Sequence, residues 1–306
     1  MTARTKTLWT FAISSIALFM VTLDNLVVTT AIPVIRKDLH ASLASLEWTV
    51  NAYTLTFAVL LLTGAALGDR FGRRRLFTVG IGIFTLGSIG AALAPSVEVL
   101  NVARAVQGLG GAIVMPLTLT ILSAAVPASK RGLALGFWGG ISGLAVAFGP
   151  VVGGAIVQGI SWQWIFWLNV PIGVLLVPLA LARLNETYGP EGKLDLPGLG
   201  LASAGLFGIV WALVRGNQQG WASAEIVAAL ALGATFVAAF VVWELRAESP
   251  MLPMRFFRNR TFALANVASL LMFFAGSLSD IAPAIGAMKI GASVQGRIRK
   301  PEPNGE

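Results

Sequence analysis

Two charged residues lie well inside long apolar runs of this chain: Asp24 and Arg104. A charged side chain at the centre of a membrane helix costs about 2.5–3.5 kcal/mol on insertion scales. Residues kept at that cost face a partner, a bundle interior or a water-filled cavity. A carboxylate that passes between dry and wet surroundings can load and release a proton, and a neighbouring guanidinium opposes the neutral form. A cationic molecule could displace that guanidinium. The competing reading is a static ion pair that only fixes helix register. Other chemistries lack their residues. The chain has no cysteine, so neither a disulfide framework nor a thiolate metal site can form. Its single histidine, His40, falls in a predicted loop with no serine–acid pair around it, and no constellation supports a membrane enzyme.

The elements that must position these two residues are hydrophobic spans. The chain is 306 residues long, 56% hydrophobic and 12% charged, with a mean hydropathy of +0.78. Soluble domains carry about 25% charge, so this is an integral membrane protein of all-α polytopic class. Nine apolar runs reach spanning length: roughly 9–33, 49–68, 76–95, 99–124, 133–157, 162–182, 196–214, 226–243 and 261–279. The first run is too long for a signal-peptide core and has no clear cleavage site. Asp24 sits nine residues before Pro33, about 14 Å below that end at about 1.5 Å per residue. Arg104 sits about five residues into the fourth run, about 8 Å below the same surface. The difference is about one helical turn, which an arginine side chain spans if runs 1 and 4 are neighbours.

Basic residues set the expected orientation. With the N-terminus inside, the inner connectors hold Arg4, Lys6, Arg70, Arg73, Arg74, Arg75, Lys130, Arg131, Arg183, Lys193, Arg246, Arg255, Arg258 and Arg260. The outer connectors hold Arg36, Lys37 and Arg215. This asymmetry predicts a cytoplasmic N-terminus and a multi-pass protein of the cell (inner) membrane. It also accounts for most of the net charge of +8 without a nucleic-acid partner. The tail 280–306 breaks the pattern. It would emerge outside after an odd ninth span, yet it carries Lys289, Arg297, Arg299 and Lys300 and reads as disordered. Either the ninth run does not cross fully or the tail was never shaped by a membrane, as in a truncated or frame-shifted reading frame.

Motifs narrow the class. Gly64–Phe77 packs Asp69, Arg70, Arg73, Arg74 and Arg75 with Gly64, Gly68 and Gly72 into one short connector. Leu67-Gly68-Asp69-Arg70-Phe71-Gly72-Arg73-Arg74 resembles the loop between spans 2 and 3 of the major facilitator superfamily of transporters. Ala65 departs from that pattern, which usually has a glycine four before the aspartate. The stretch Leu23–Pro33 resembles the first-span motif of the fourteen-span drug–proton antiporters of EmrB/QacA type. Arg104–Ala112 resembles their span-4 motif, and Gly149-Pro150-Val-Val-Gly153-Gly154 their span-5 antiporter motif. Glu47–Tyr53 and Trp164–Gly173 are similar to two further stretches of that branch. The likeness is dense over 20–175. Runs 7 and 8 match the extra pair of the fourteen-span members, and 244–262 matches the connector into a second half.

The resemblance implies a six-helix half made of 3+3 inverted repeats, plus about three further spans. It divides the chain into a six-helix half over 1–183, a linker with two extra spans over 184–243, a connector and first span of a second half over 244–279, and an atypical tail over 280–306. It implies a multidrug efflux antiporter, a type linked to antibiotic resistance, which exports amphipathic or cationic compounds in exchange for protons and needs no cofactor beyond the proton gradient. Asp24 and Arg104 become the proton-coupling residues, and Asp69, Arg70, Gly72 and Arg73 a conformational latch. Asn25, Thr29, Asn51, Gln107 and Met115 are the expected substrate-cavity residues, although a polar residue that simply bonds a neighbouring helix is the commoner case. Gly149, Pro150, Gly153 and Gly154 become the helix bend. The spacings Gly136/Gly140, Gly139/Gly143 and Gly149/Gly153 also fit a plain packing face. Trp48, Trp138, Trp162, Trp164 and Trp221 read as an interfacial aromatic belt. The rival expectation is a non-transporting membrane fragment or interaction partner that lacks the second half. Its partners would be the lipid bilayer and, through an uncovered face, a second copy of itself.

Overall fold

The computed structural model describes residues 2–189, 194–247 and 250–272. Among these, every regular element is helical. The order is α1 (Ala3–Asp38), α2 (Leu43–Phe71), α3 (Arg73–Ala92), α4 (Val97–Ala125), α5 (Arg131–Gly159), the single turn α6 (Trp164–Trp167), α7 (Asn169–Arg183), α8 (Leu196–Gln219) and α9 (Ala224–Glu244). Taking α6 and α7 as one interrupted span, eight helices are long and apolar enough to cross a membrane. These correspond to the first eight predicted runs. The ninth is described only as the helix Arg260–Met272; its remainder and the tail 280–306 lie outside the described residues. The chain divides into two compact units, Met1–Met251 and Leu252–Glu306. In the second unit, the short 3-10 turn Met254–Arg258 precedes the helix Arg260–Met272.

Local chemistry explains the helix ends. Ser42, Ser96, Asp195 and Ser223 each cap a helix by accepting a backbone N–H three residues on. One boundary differs from expectation. The first helix does not stop at Pro33 but runs through it to Asp38, with Arg36 and Lys37 in its last turn. Proline removes one backbone donor, which membrane helices tolerate, and the two cations complement the negative end of the helix dipole.

In the first unit, α4 packs between α2 and α3, and α1 packs against α5, α4 and α7. Close approach makes this possible. A Cβ on Gly108 would lie 2.5 Å from the Tyr53 carbonyl oxygen of α2, and one on Gly110 would lie 2.5 Å from the Phe84 nitrogen of α3. The α8–α9 pair docks through α8 on α2, where Trp48 meets Trp211 at 5.5 Å and Ser203 donates to the Val59 carbonyl at 3.1 Å.

The buried side chains form two apolar clusters. One gathers Leu23, Val27, Ala31, Ile35, Leu100 and Phe166. The other gathers Ile13, Ala17, Met20, Phe77, Ile113 and Leu117. Both helices carrying the intramembrane charges pass from one cluster to the other, so Asp24 and Arg104 lie where the two meet.

Candidate functional site

Asp24 and Arg104 form a direct ion pair. Arg104 Nη1 lies 2.5 Å from Asp24 Oδ2, and both side chains are at most 1% exposed. The same Nη1 donates to Gln107 Oε1 at 2.8 Å. Arg104 Nε donates to the Thr49 carbonyl of α2 at 3.0 Å. The guanidinium lies over the Tyr53 ring, 4.3 Å from its centroid, with the Phe166 ring at 5.9 Å. Only Nη2 has no partner among the described residues. Arginine suits this place because its planar fork serves several acceptors at once.

The carboxylate is equally engaged. Asp24 Oδ1 accepts from Asn169 Nδ2 at 2.6 Å and from Gln107 Nε2 at 3.1 Å. Gln107 Nε2 also donates to Ser88 Oγ at 2.7 Å, and Ser88 donates to the Phe84 carbonyl at 2.9 Å. Side chains of α4 and α7 therefore hold the carboxylate that α1 carries, and Ser88 of α3 bonds the two amides that reach it. Burying two charges in hydrocarbon is tolerable only with such partners, because desolvation costs several kcal/mol per ion before pairing. Among the described residues, the charged or titratable groups beside Asp24 are Arg104 and Tyr53.

Gln107 belongs to this network and is fully buried, so it lines no open cavity here. Asn25 is half-buried, and its Oδ1 is buried without a partner among the described residues. Thr29 is exposed and donates to the Leu26 carbonyl at 2.7 Å. Asn51 and Met115 are half-buried. The structure places the glycines of α5 on two faces. A Cβ on Gly149 would meet Leu26 at 2.8 Å, and one on Gly153 would collide with Thr30, so these two seat α5 against α1. Gly136, Gly139, Gly140, Gly143 and Gly154 face open space. Two of them, Gly136 and Gly140, line a shallow apolar groove of about 570 Å³ together with Phe137, Ile141 and Leu144. Pro150 lies inside α5.

The aromatic residues divide. Trp164 and Trp221 are half-exposed. Trp162 is not in a belt. It is 2% exposed, and its Nε1 donates to Asp38 Oδ2 at 2.6 Å, so it ties the end of α1 to the α5–α6 connection. Trp138 Nε1 donates to Thr118 Oγ1 at 3.0 Å across α4 and α5.

The connector between α2 and α3 forms a second cluster. Arg73 Nε pairs with Asp69 Oδ1 at 2.7 Å. Gly72 turns the chain at φ +106°, a backbone state that glycine adopts freely. The segment Leu184–Gly189, expected as a plain polar linker, folds onto this turn. Glu186 Oε1 accepts the Arg74 N–H at 2.8 Å, and the Thr187 carbonyl accepts the Arg73 N–H at 2.9 Å. The N-terminus of α3, which has no cap from its own segment, is thus capped by residues that follow α7. The Gly189 N–H in turn donates to the Asp69 carbonyl at 2.9 Å. Arg74 and Arg75 lie 3.6 and 3.7 Å from the Glu186 carboxylate. Arg70 is exposed.

Eight helices of spanning length, packed around a buried ion pair, define a polytopic membrane protein. The chain belongs to the Major Facilitator Superfamily, whose family model matches residues 14–296. It is 36% identical over 262 residues to the tetracenomycin C resistance and export protein of Streptomyces glaucescens, covering 85% of this chain and 49% of that protein. It is 37% identical over 270 residues to the multidrug resistance protein Stp of Mycobacterium tuberculosis, covering 88% and 50%. The chain therefore spans about half the length of the curated relatives it matches. In fold it is similar to the crystal structure of the peptide transporter POT in complex with sulfate, with a TM-score of 0.57 at 16% identity, covering 78% of this chain and 53% of that one. The POT family transporter PepTSo gives a TM-score of 0.54 at 17% identity, covering 79% and 52%.

Proposed function

We propose that this chain is the N-terminal portion of a proton-driven exporter of amphipathic or cationic compounds, with its N-terminus in the cytoplasm. Asp24 is the coupling acid and Arg104 the cation that holds it. The observation that carries the reading is the ion pair itself, buried between two apolar clusters, its Asp24 carboxylate held by side chains of α4 and α7. Relatives named for resistance and export support the substrate class. In this reading Asp69, Arg70, Gly72 and Arg73 are the inner latch, which the Asp69–Arg73 pair supports, and the bilayer surrounds the exposed apolar faces. Asn25, Thr29, Asn51 and Met115 are the cavity-side residues.

A second reading has its own support. Each carboxylate oxygen is already engaged by donors, as a purely structural ion pair would be. One experiment separates the two. The transporter, expressed at the length of its relatives in a drug-sensitive host without its own pumps, should extrude a fluorescent cation. Asp24→Asn should insert normally and abolish energy-dependent efflux. Arg104→Lys keeps the charge but loses the planar fork, so partial activity at best is expected. Wild-type efflux by Asp24→Asn would assign the pair to structure alone.

A further inference from the structure

Asn169 is the partner of Asp24 that the reading above leaves without a role. It is 2% exposed and opens α7 immediately after the break at Leu168. Its amide nitrogen lies 2.6 Å from Asp24 Oδ1, nearer than the Gln107 amide, and 3.4 Å from Ser88 Oγ. Both contacts are donations. An ionised carboxylate accepts them; a protonated one must instead give its own O–H to an acceptor. Gln107 cannot easily supply that acceptor, because its Oε1 already receives Arg104 Nη1 and its Nε2 is held by Ser88. Asn169 can. Half a turn about its Cβ–Cγ bond puts Oδ1 where Nδ2 stood.

We propose that Asn169 is a positioning residue that sets the proton affinity of Asp24, its amide donating to the ionised carboxylate and turning to accept from the protonated one. The step balances simply. One proton comes from the aqueous phase to Oδ1; the N–H···O contacts of Asn169 Nδ2 to Asp24 and to Ser88 are both lost, and one O–H···O contact to Asn169 Oδ1 replaces the first. The other ionisable groups facing the site are fixed. Arg104 approaches from α4, and Tyr53 lies under it from α2. α3 contributes Ser88 and α6 contributes Phe166. The helices α5 and α7 carry ionisable side chains only at their ends, Arg131 and Arg183. The proposal rests on Asp24 exchanging protons, as the proposed function requires, but its test needs no transport.

The test is pH-difference infrared spectroscopy on the purified chain in lipid nanodiscs. The carboxylic-acid band that disappears in Asp24→Asn belongs to Asp24. Asn169→Leu removes both donor and acceptor. Loss of the donor to the ionised form raises the midpoint and loss of the acceptor to the neutral form lowers it. The bond to the charged form is the stronger, so the midpoint should rise by the difference, about one pH unit. Asn169→Ser keeps one small donor and acceptor and should move it less, and it decides the matter if the leucine variant does not insert. A midpoint unchanged in the inserted variants, or no Asp24 band in them at all, overturns the proposal. If the midpoint moves while Asp24→Asn still exports, the assignment of Asn169 stands and the coupling role fails. If export needs Asp24 but the midpoint stays, the reverse holds.

Discussion

Removing one member of the buried pair should cost far more than removing both. Arg104→Met keeps much of the side-chain volume and deletes the donors to Asp24, Gln107 and the Thr49 carbonyl. It strands a carboxylate whose side chain is 1% exposed. Breaking a buried pair in this way costs about 3–5 kcal/mol, a large part of the about 5–15 kcal/mol that holds a typical domain together. Asp24→Asn added to Arg104→Met removes the stranded charge. The amide left behind is neutral and still accepts from Asn169 through its oxygen. The double variant should recover about 2 kcal/mol or more of the single variant's loss, since most of that loss is an uncompensated charge. The assay is equilibrium unfolding in mixed micelles, followed by circular dichroism, for the wild type, both single variants and the double variant. A second axis sharpens it. Protonation relieves a stranded carboxylate, so the deficit of Arg104→Met should shrink as the pH falls, while that of the double variant should not. Additive losses at every pH would refute the argument. They would mean that Asp24 and Arg104 contribute packing rather than mutual charge compensation.

Two further outcomes can be checked directly. Glu186→Ala removes the cap that α3 receives from the segment after α7, worth about 0.5–2 kcal/mol, and backbone amides in the first turn of α3 should exchange faster; unchanged exchange would show that the segment only rests there. The cysteine-free chain also reports its own topology. A cysteine introduced at Ser129 should resist an impermeant thiol reagent in intact cells and one at His40 should react, and labelling of Ser129 from outside would invert the proposed orientation.

The pairing of Asp24 with Arg104 was legible because charge is so costly in a membrane that depth arithmetic alone narrows the partners. Residues that carry no charge were harder to see. Ser88 stands among glycines and alanines in α3, where serine is also an ordinary small packing residue. Asn169 lies in the stretch Trp164–Gly173, which was matched as a whole and gave Asn169 no role of its own. Yet it is the one side-chain amide in the apolar stretch that begins at Trp164, and an unmatched amide in hydrocarbon needs a partner. Pairing each such amide with an intramembrane charge would have found it. Gln107 was expected in a cavity but lies in the network, because its distance of three residues from Arg104 puts both on one face of α4.

The connector between α2 and α3 was read for its own residues, and there the local pattern held, with Asp69 and Arg73 pairing across one helical turn. Its partner from beyond α7 was invisible. Glu186 follows an apolar run by a few residues, and nothing in its neighbourhood marks it as the cap of a helix more than a hundred positions earlier. Trp162 was misread for a related reason. Tryptophan near a span end fits an interfacial belt, but only the fold shows that Asp38, at the end of a helix extended past Pro33, waits for its N–H.

The geometry also constrains how a proton could ever reach Asp24. Both carboxylate oxygens are engaged, the side chain is closed off by apolar clusters on either side, and it lines neither the groove on α5 nor the one between α8 and α9. In the proposed coupling, a proton reaches Asp24 where one of these contacts opens. Opening one means separating α1 from at least one of the helices that grip it. The contact with α5 at Gly149 and Gly153 is close and has no side chain to yield on the glycine side. The contacts with α4 and α7 run through side-chain amides and a guanidinium, which can re-pair. In the proposed coupling, proton exchange at Asp24 goes with a shift of α1 relative to α4 or α7. A coupling residue needs that property, because a carboxylate that titrated without helix movement would leak protons without driving anything.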